Sequence, residues 1–239
     1  MLKHGLYFRA IPDSGTVRVA LNPTGTPAPI WPNHTSFAEN HTKYLLNNSD
    51  TFWAGAEKKI NVSKIKWIVN SLADVDEYKN SLTMLDELML HNIPIFNHPR
   101  TLINTRRDIV SEKLSTLKSV AVPKCVRIVE KDKDNFKKAV KLAGIKPPLI
   151  LRPEKSQTGQ GMVVLDNEEE LISYIENLEI KSAYYMTEFI DSVQPDDLYY
   201  KARLIFVGPE YFVRHVKSSK NRILHRESSD KTFQWEEEK

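Results

Sequence analysis

The chain has 239 residues, 41% hydrophobic and 27% charged, which is long and apolar enough to bury a core and too evenly composed for disorder, collagen or coiled coil. Thirty-four Lys and Arg against 31 Asp and Glu leave a formal charge of +3, too small for the chain-wide basic surface of a nucleic-acid coat, so small ligands come first. One cysteine, Cys125, excludes an internal disulfide, and Lys3, His4 and Arg9 interrupt the opening MLKHGLYFRA, so neither leader nor membrane anchor is expected and a cytoplasmic location is the reading.

The first sixty residues are punctuated by Pro12, Pro23, Pro27, Pro29, Pro32, Gly15 and Gly25; one strand is read at VRVAL, and no chemistry is assigned. From residue 64 the pattern is clearer. IKWIV (65–69) reads as a strand, Asp74 with Glu77 as a capping box opening a helix whose Val75, Tyr78, Leu82 and Leu85 share a face, and IPIF (93–96) as a second strand. Strand, helix and strand within some thirty residues form a parallel βαβ crossover, which makes residues 1–98 an α/β domain.

Residues 99–239 read as a second, α+β domain. Thr105 with Asp108 is expected to cap a helix through Leu114 and Leu117, VRIV (126–129) is a strand, and Asp134 caps NFKKAVKLA with Gly144 as its left-handed stop. LILRP, a polar loop EKSQTGQG, and MVVLD follow, then a helix capped by Asn167 with Glu170, then YYMTEFI. YYKARLIFVG and EYFVRHV form an antiparallel hairpin turning at Gly208 and Pro209, and the remainder is read as a polar tail without a strand. Residues 101–150 hold twelve basic and five acidic side chains; most of the lysines from 131 to 146 read as a solvated helix surface, with a nucleic-acid surface as the weaker alternative.

The chemistry-bearing signal runs from Leu149 to Gly161: a buried strand ends in a fixed cation, Arg152, and feeds a loop of small residues that returns into another strand. This is neither a Walker loop nor a dinucleotide fingerprint, since neither spacing occurs. Glycines at 159 and 161 let backbone amides approach a phosphate chain, and a guanidinium supplies forked donors to it.

Upstream lies IPIFNHPRTLINTRRDIVSEKL, and MTEFID followed by ARLIFVG lies downstream. This succession resembles the ATP-grasp superfamily over residues 64–226, in particular carboxylate–amine ligases such as ribosomal-protein glutamate ligases, glutathione synthetases and D-alanine:D-alanine ligases. The resemblance implies a pre-ATP-grasp-like α/β domain followed by an ATP-grasp-like domain, here incomplete at its C-terminal end. It implies ATP as cofactor, with Arg107 and Arg152 where the family has phosphate-contacting lysines and with Gln157, Gly159 and Gly161 on the loop over the phosphates. Glu188, Phe189 and Ile190 then form the adenine hinge, Asp191 accepts from the ribose, and Arg203 is the catalytic arginine that steadies the transferred phosphate. Mg²⁺ is expected for such chemistry, yet no ligands for it are identified; ESSDKTFQWEEEK does not fit the family's metal-holding end. The implied partners are a small-molecule or peptide carboxylate and an amine. A non-catalytic nucleotide- or peptide-binding module is the alternative.

Overall fold

The computed structural model describes residues 4–15, 18–21, 25, 27–30, 48–54, 61–88, 92–156, 159, 161–207, 209–224 and 231–233. The chain mixes α and β structure with parallel and antiparallel sheets, and it divides into two compact units, Met1–Leu117 and Lys118–Lys239. Compactness thus puts the divide at 117/118, where the sequence motifs put it at 98.

The first unit is built on a parallel sheet ordered β4-β1-β5-β6, made of β1 (Gly5–Ala10), β4 (Ser49–Ala54), β5 (Trp67–Asn70) and β6 (Ile95–Phe96). Leu6, Phe8 and Ala10 of β1 point to one face, where they meet Phe52, Ile68 and the helix α1 (Lys79–Leu88) through Leu82 and Leu85. Phe8 stacks on its cross-strand partner Phe52 with ring centroids 5.6 Å apart. Both β1 and β4 fall where the sequence showed no element, and β1 lies inside the sheet. The βαβ crossover is present as β5, α1 and β6, with β5 and β6 parallel. Its strands are shorter than the apolar runs, and β5 starts at Trp67 rather than Ile65. Asp74 accepts from the backbone N–H of Asp76 and Glu77 at 2.9 and 3.2 Å, but it closes a turn, and α1 begins only at Lys79. VRVAL contributes β2 (Arg18–Leu21), paired with β3 (Pro27–Ile30) in a separate ribbon.

Two further helices follow, α2 (Pro99–Leu102) and α3 (Arg107–Leu114). The expected Thr105 cap is not made: Thr105 lies in a 3₁₀ turn and donates its hydroxyl to Leu102 O at 2.7 Å. Arg106 takes the capping position with an extended backbone and holds Asp108 through two bonds of 2.7 and 2.8 Å. The helix stops at Leu114, short of Leu117.

Tyr78 is fully buried in this unit, and burial, reinforced by the nearby carboxylates of Glu77 and Asp74, raises its pKa well above the usual value. Folding therefore favours the neutral phenol. The sign of the linkage is that this contribution is complete below the unfolded pKa of about 10 and is lost as pH rises above it. Urea unfolding of the first unit between pH 9 and 11 is expected to show stability falling with pH, and Tyr78→Phe is expected to flatten that slope. An unchanged slope in the variant would assign it to other groups.

The second unit carries an antiparallel sheet ordered β7-β10-β8-β9, comprising β7 (Cys125–Ile128), β8 (Leu149–Pro153), β9 (Val163–Leu165) and β10 (Tyr184–Glu188). One face is covered by α4 (Lys133–Ala143) and α5 (Glu168–Asn177), burying Ile128, Phe136, Val140, Leu149, Leu151 and Met186 among others. The cap of α4 is Asp132, which accepts from Asn135 N at 3.0 Å; Asp134, expected to cap, sits in the first turn, where its charge suits the positive end of the helix. Gly144 ends α4 as expected, at φ 64°, a backbone state that glycine adopts without strain. Asn167 and Glu170 cap α5 reciprocally: Asn167 Oδ1 accepts from Glu170 N, and Glu170 Oε2 accepts from Asp166 N, each at 2.9 Å.

The hairpin forms as β11 (Tyr199–Val207) and β12 (Glu210–Ser219). The polar tail is not without a strand: β13 (Lys231–Phe233) pairs with β12 from Val216 to Ser218. Its three residues show too little alternation to announce a strand, and the partner's ladder supplies the bonds that fix it.

Candidate functional site

The face of the β7-β10-β8 sheet turned away from α4 and α5 carries a row set by register: Arg127, Tyr185 and Arg152 are direct neighbours on successive strands. Since Tyr184, Met186, Leu149 and Leu151 go to the helix side, strand alternation sends this row to the other. Tyr185 is fully buried between the two arginines, and Arg127 is ion-paired with Glu154. Arg152 donates to Ser156 Oγ at 3.0 Å and to Ser156 O at 2.5 Å, while Ser156 Oγ donates to Pro153 O at 2.7 Å. The first half of the loop is thereby tied to its own strand by the residue the sequence assigned to phosphate. Gly159 and Gly161 have φ of 80° and 68°, and a Cβ on Gly161 would stand 3.0 Å from Pro153 Cγ, so the loop's return into β9 requires glycine there. Gln157 lies outside the described residues.

A second group of cations is set by the hairpin. Lys201 pairs with Lys217 and Arg203 with His215, two successive rungs on one face of β11 and β12. Burial first, then the charges of Arg203, Lys217 and Arg152, lower the pKa of Lys201; the contribution of Arg152 brings the row on β8 and the hairpin into one electrostatic neighbourhood. His215 is lowered likewise, by desolvation and then by Lys217, Arg203, Arg214 and Lys201. Among the described residues no carboxylate is ion-paired with Lys201, Arg203 or Lys217. Lys201 escaped the sequence reading because every second residue of YYKARLIF looks alike. The available signal was the pairing of 201 and 203 with 215 and 217 across the turn.

At the C-terminal end of β10 the expected hinge has partners of its own. Glu188 donates its backbone N–H to Lys124 O at 2.9 Å, and its carboxylate accepts from Lys124 N at 2.8 Å. Phe189 N donates to Pro148 O at 3.2 Å, and Ile190 is 44% exposed. Asp191, expected to accept from a ribose, accepts instead from the hydroxyl of Tyr199 on β11 at 3.0 Å. Arg222, which the sequence reading passed over, joins these parts: it is ion-paired with Asp166 and lies over the Phe189 ring at 5.4 Å.

Arg107 belongs to the first unit, where its guanidinium stands 3.8 Å from the buried carboxylate of Asp76. Several cations of the 101–150 block are engaged locally: Arg106 with Asp108, Lys113 with Asn104, Lys124 with Ala143 O and Lys137 with Glu176. Among the described residues no group of three or more His, Cys, Asp or Glu is placed to hold a metal ion. No helix among them is long and apolar enough to cross a membrane. The arrangement in the second unit concentrates fixed positive charge beside a glycine loop, which attracts and orients a polyanion.

No protein-family profile matches the chain, and no curated protein matches it in sequence. In fold it is similar to several solved structures. One is a D-alanine–D-alanine ligase from Bacillus anthracis complexed with ATP, at 13% identity and a TM-score of 0.46, with 98% of this chain and 72% of that one covered. Another is D-alanyl-alanine synthetase A from Vibrio cholerae, at 12% identity and a TM-score of 0.49, with 91% and 67% covered. A RimK domain protein of the ATP-grasp type from Sphaerobacter thermophilus follows at 11% identity and a TM-score of 0.42, with 88% and 72% covered. The chain spans only 44% of the length of the Helicobacter pylori D-alanine–D-alanine ligase, to which it is 16% identical over 63% of its own length at a TM-score of 0.39.

Proposed function

We propose that the second unit binds ATP, with the base beside Phe189 and Ile190 and the phosphates among Arg152, Lys201, Arg203 and Lys217 below Gly159 and Gly161. The observation that carries this reading is the crowding of Lys201, Arg203 and Lys217 on two successive rungs of the hairpin with no ion-paired carboxylate among the described residues; burial first, and then these like charges, lower the pKa of Lys201. A polyanion bound among these cations relieves that repulsion. The chemistry the reading supports is carboxylate–amine ligation. A carboxylate oxygen attacks the γ-phosphorus and ADP leaves; an amine nitrogen then attacks the acyl carbon, phosphate leaves, and the nitrogen gives up a proton. Arg203, on the rung beyond Lys201, is the residue we assign to the transferred phosphoryl group, where a fixed guanidinium offsets the charge that gathers in transfer. A nucleotide-binding module without turnover is the second reading, favoured by Arg152 standing where ligases of this type have lysine while also holding Ser156.

Calorimetric titration with ATP and with its non-hydrolysable imido analogue tests the binding step; saturable binding that weakens as salt is raised is expected, and flat titrations with both nucleotides would overturn the proposal. ADP release with added Mg²⁺ and a panel of carboxylates and amines then separates the ligase from the silent module.

A further inference from the structure

We infer that the carboxylate taken by this site carries an apolar substituent, seated on a third rung of the hairpin formed by Ile205 and Phe212; the inference rests on the nucleotide reading above. The rungs on this face follow a fixed order. Tyr199, bonded to Asp191 beside the hinge, comes first; Lys201 with Lys217 is next, then Arg203 with His215, then Ile205 with Phe212. Successive same-face positions on a strand are about 7 Å apart. A nucleotide with its base at the Phe189 end therefore runs its phosphates along the two cationic rungs. The acyl group joined to the terminal phosphate reaches the third. That rung presents only hydrocarbon, and it is open to solvent, with Ile205 43% and Phe212 50% exposed.

Phe212 reaches this face because of a bulge. Arg203 pairs with His215 but Leu204 with Val213, so Arg214 is an extra residue in β12, and Phe212, three positions from His215, falls on the same side as it. The rung after it brings Glu210, opposite Val207, to the same face. A second carboxylate on the substrate would approach the like charge of Glu210, while an alkyl or aryl substituent covers Ile205 and Phe212 at no electrostatic cost. The site thus selects against a dicarboxylate and for an apolar monocarboxylate.

The test uses the full chain saturated with the imido analogue of ATP and Mg²⁺, titrated with 4-methylpentanoate, 3-phenylpropanoate, acetate and glutarate. The two apolar acids are expected to bind about 10-fold more tightly than acetate or glutarate, the scale set by a small apolar group in a matching site. Phe212→Ser and Ile205→Ser are each expected to bring that advantage within about 3-fold, while Phe212→Leu keeps it and Tyr211→Ser, on the opposite face of the ribbon, leaves it unchanged. Both rung residues are exposed, so the serine variants should fold, which thermal melts will check. Acetate or glutarate matching the apolar acids, a preference that survives both serine variants, or no carboxylate binding at all would overturn the inference while leaving nucleotide binding intact. Failure of the imido analogue itself to bind would overturn the underlying reading, and this one with it.

Discussion

Arg152→Ala is expected to weaken ATP binding by roughly 10- to 100-fold, the scale of one or two charge-assisted hydrogen bonds worth about 1.5–3 kcal/mol in total. The guanidinium sits on β8 with its forked donors turned to the start of the glycine loop, and it adds to the positive potential felt by Lys201. Its loss removes both a donor to phosphate and part of the field that draws phosphate in. Because Arg152 also holds Ser156, the loop must be separated from the ligand. Ser156→Ala keeps the guanidinium and loosens the tether, so affinity should stay within a few-fold, whereas Arg152→Lys keeps the charge and loses the fork, and should fall between. Calorimetry on the three variants decides this. Equal isotherms for Arg152→Ala and the unaltered protein would remove Arg152 from the site, and an Ser156→Ala loss as large as that of Arg152→Ala would make its role structural.

The largest loss of stability is expected from Phe136→Ala, at about 3–5 kcal/mol. Phe136 is fully buried on α4, meets Tyr184 edge to face with centroids 5.6 Å apart, and shares its helix face with Val140 and Ala143. Truncation leaves a cavity between the helix and the strand that carries Tyr184 on one face and Tyr185 on the other. A domain's whole margin is about 5–15 kcal/mol, so a large share of it would be lost and the row of Arg127, Tyr185 and Arg152 would lose its backing. Leu142→Ala on the same helix is the control: Leu142 is 85% exposed, and its loss should stay within about 0.5 kcal/mol. Urea unfolding monitored by circular dichroism compares the two, and similar midpoints would show that the helix does not depend on its buried face.

What could be read from the sequence follows the strength of the local signal. Asn167 with Glu170, Gly144, and the spacing of Phe136, Val140 and Ala143 each act within one helix, so the elements of the second unit's sheet and its covering helices were legible. Caps two residues apart were not: Asp132 and Asp134 are both good caps, and only the geometry of the chain entering α4 chooses between them. GLYFRA escaped because its one charge, Arg9, belongs to a strand whose surroundings come from distant residues; Arg9 lies 4.7 Å from the centroid of Trp53, its cross-strand partner. The candidate site divides the same way. Arg152 and the glycines announce themselves within one loop, whereas Lys201, Phe212 and Arg222 acquire meaning only through register, a bulge and an ion pair to Asp166 that spans 56 positions. Alternation in sequence cannot reveal a bulge, because one inserted residue reverses the parity of everything beyond it.

The place of β1 has a consequence for synthesis. β1 is interior to its sheet, and its two neighbours, residues 49–54 and 67–70, are synthesised after it. Until then Leu6, Phe8 and Ala10 have no ladder to join. The first unit therefore folds through contacts distant in sequence, which slows folding and lengthens the time its apolar strand stays uncovered in the nascent chain. Trimming the first ten residues would remove the middle of the sheet rather than an edge, parting β4 from β5, whereas an extension placed ahead of residue 4 would leave the β1 pairings themselves untouched.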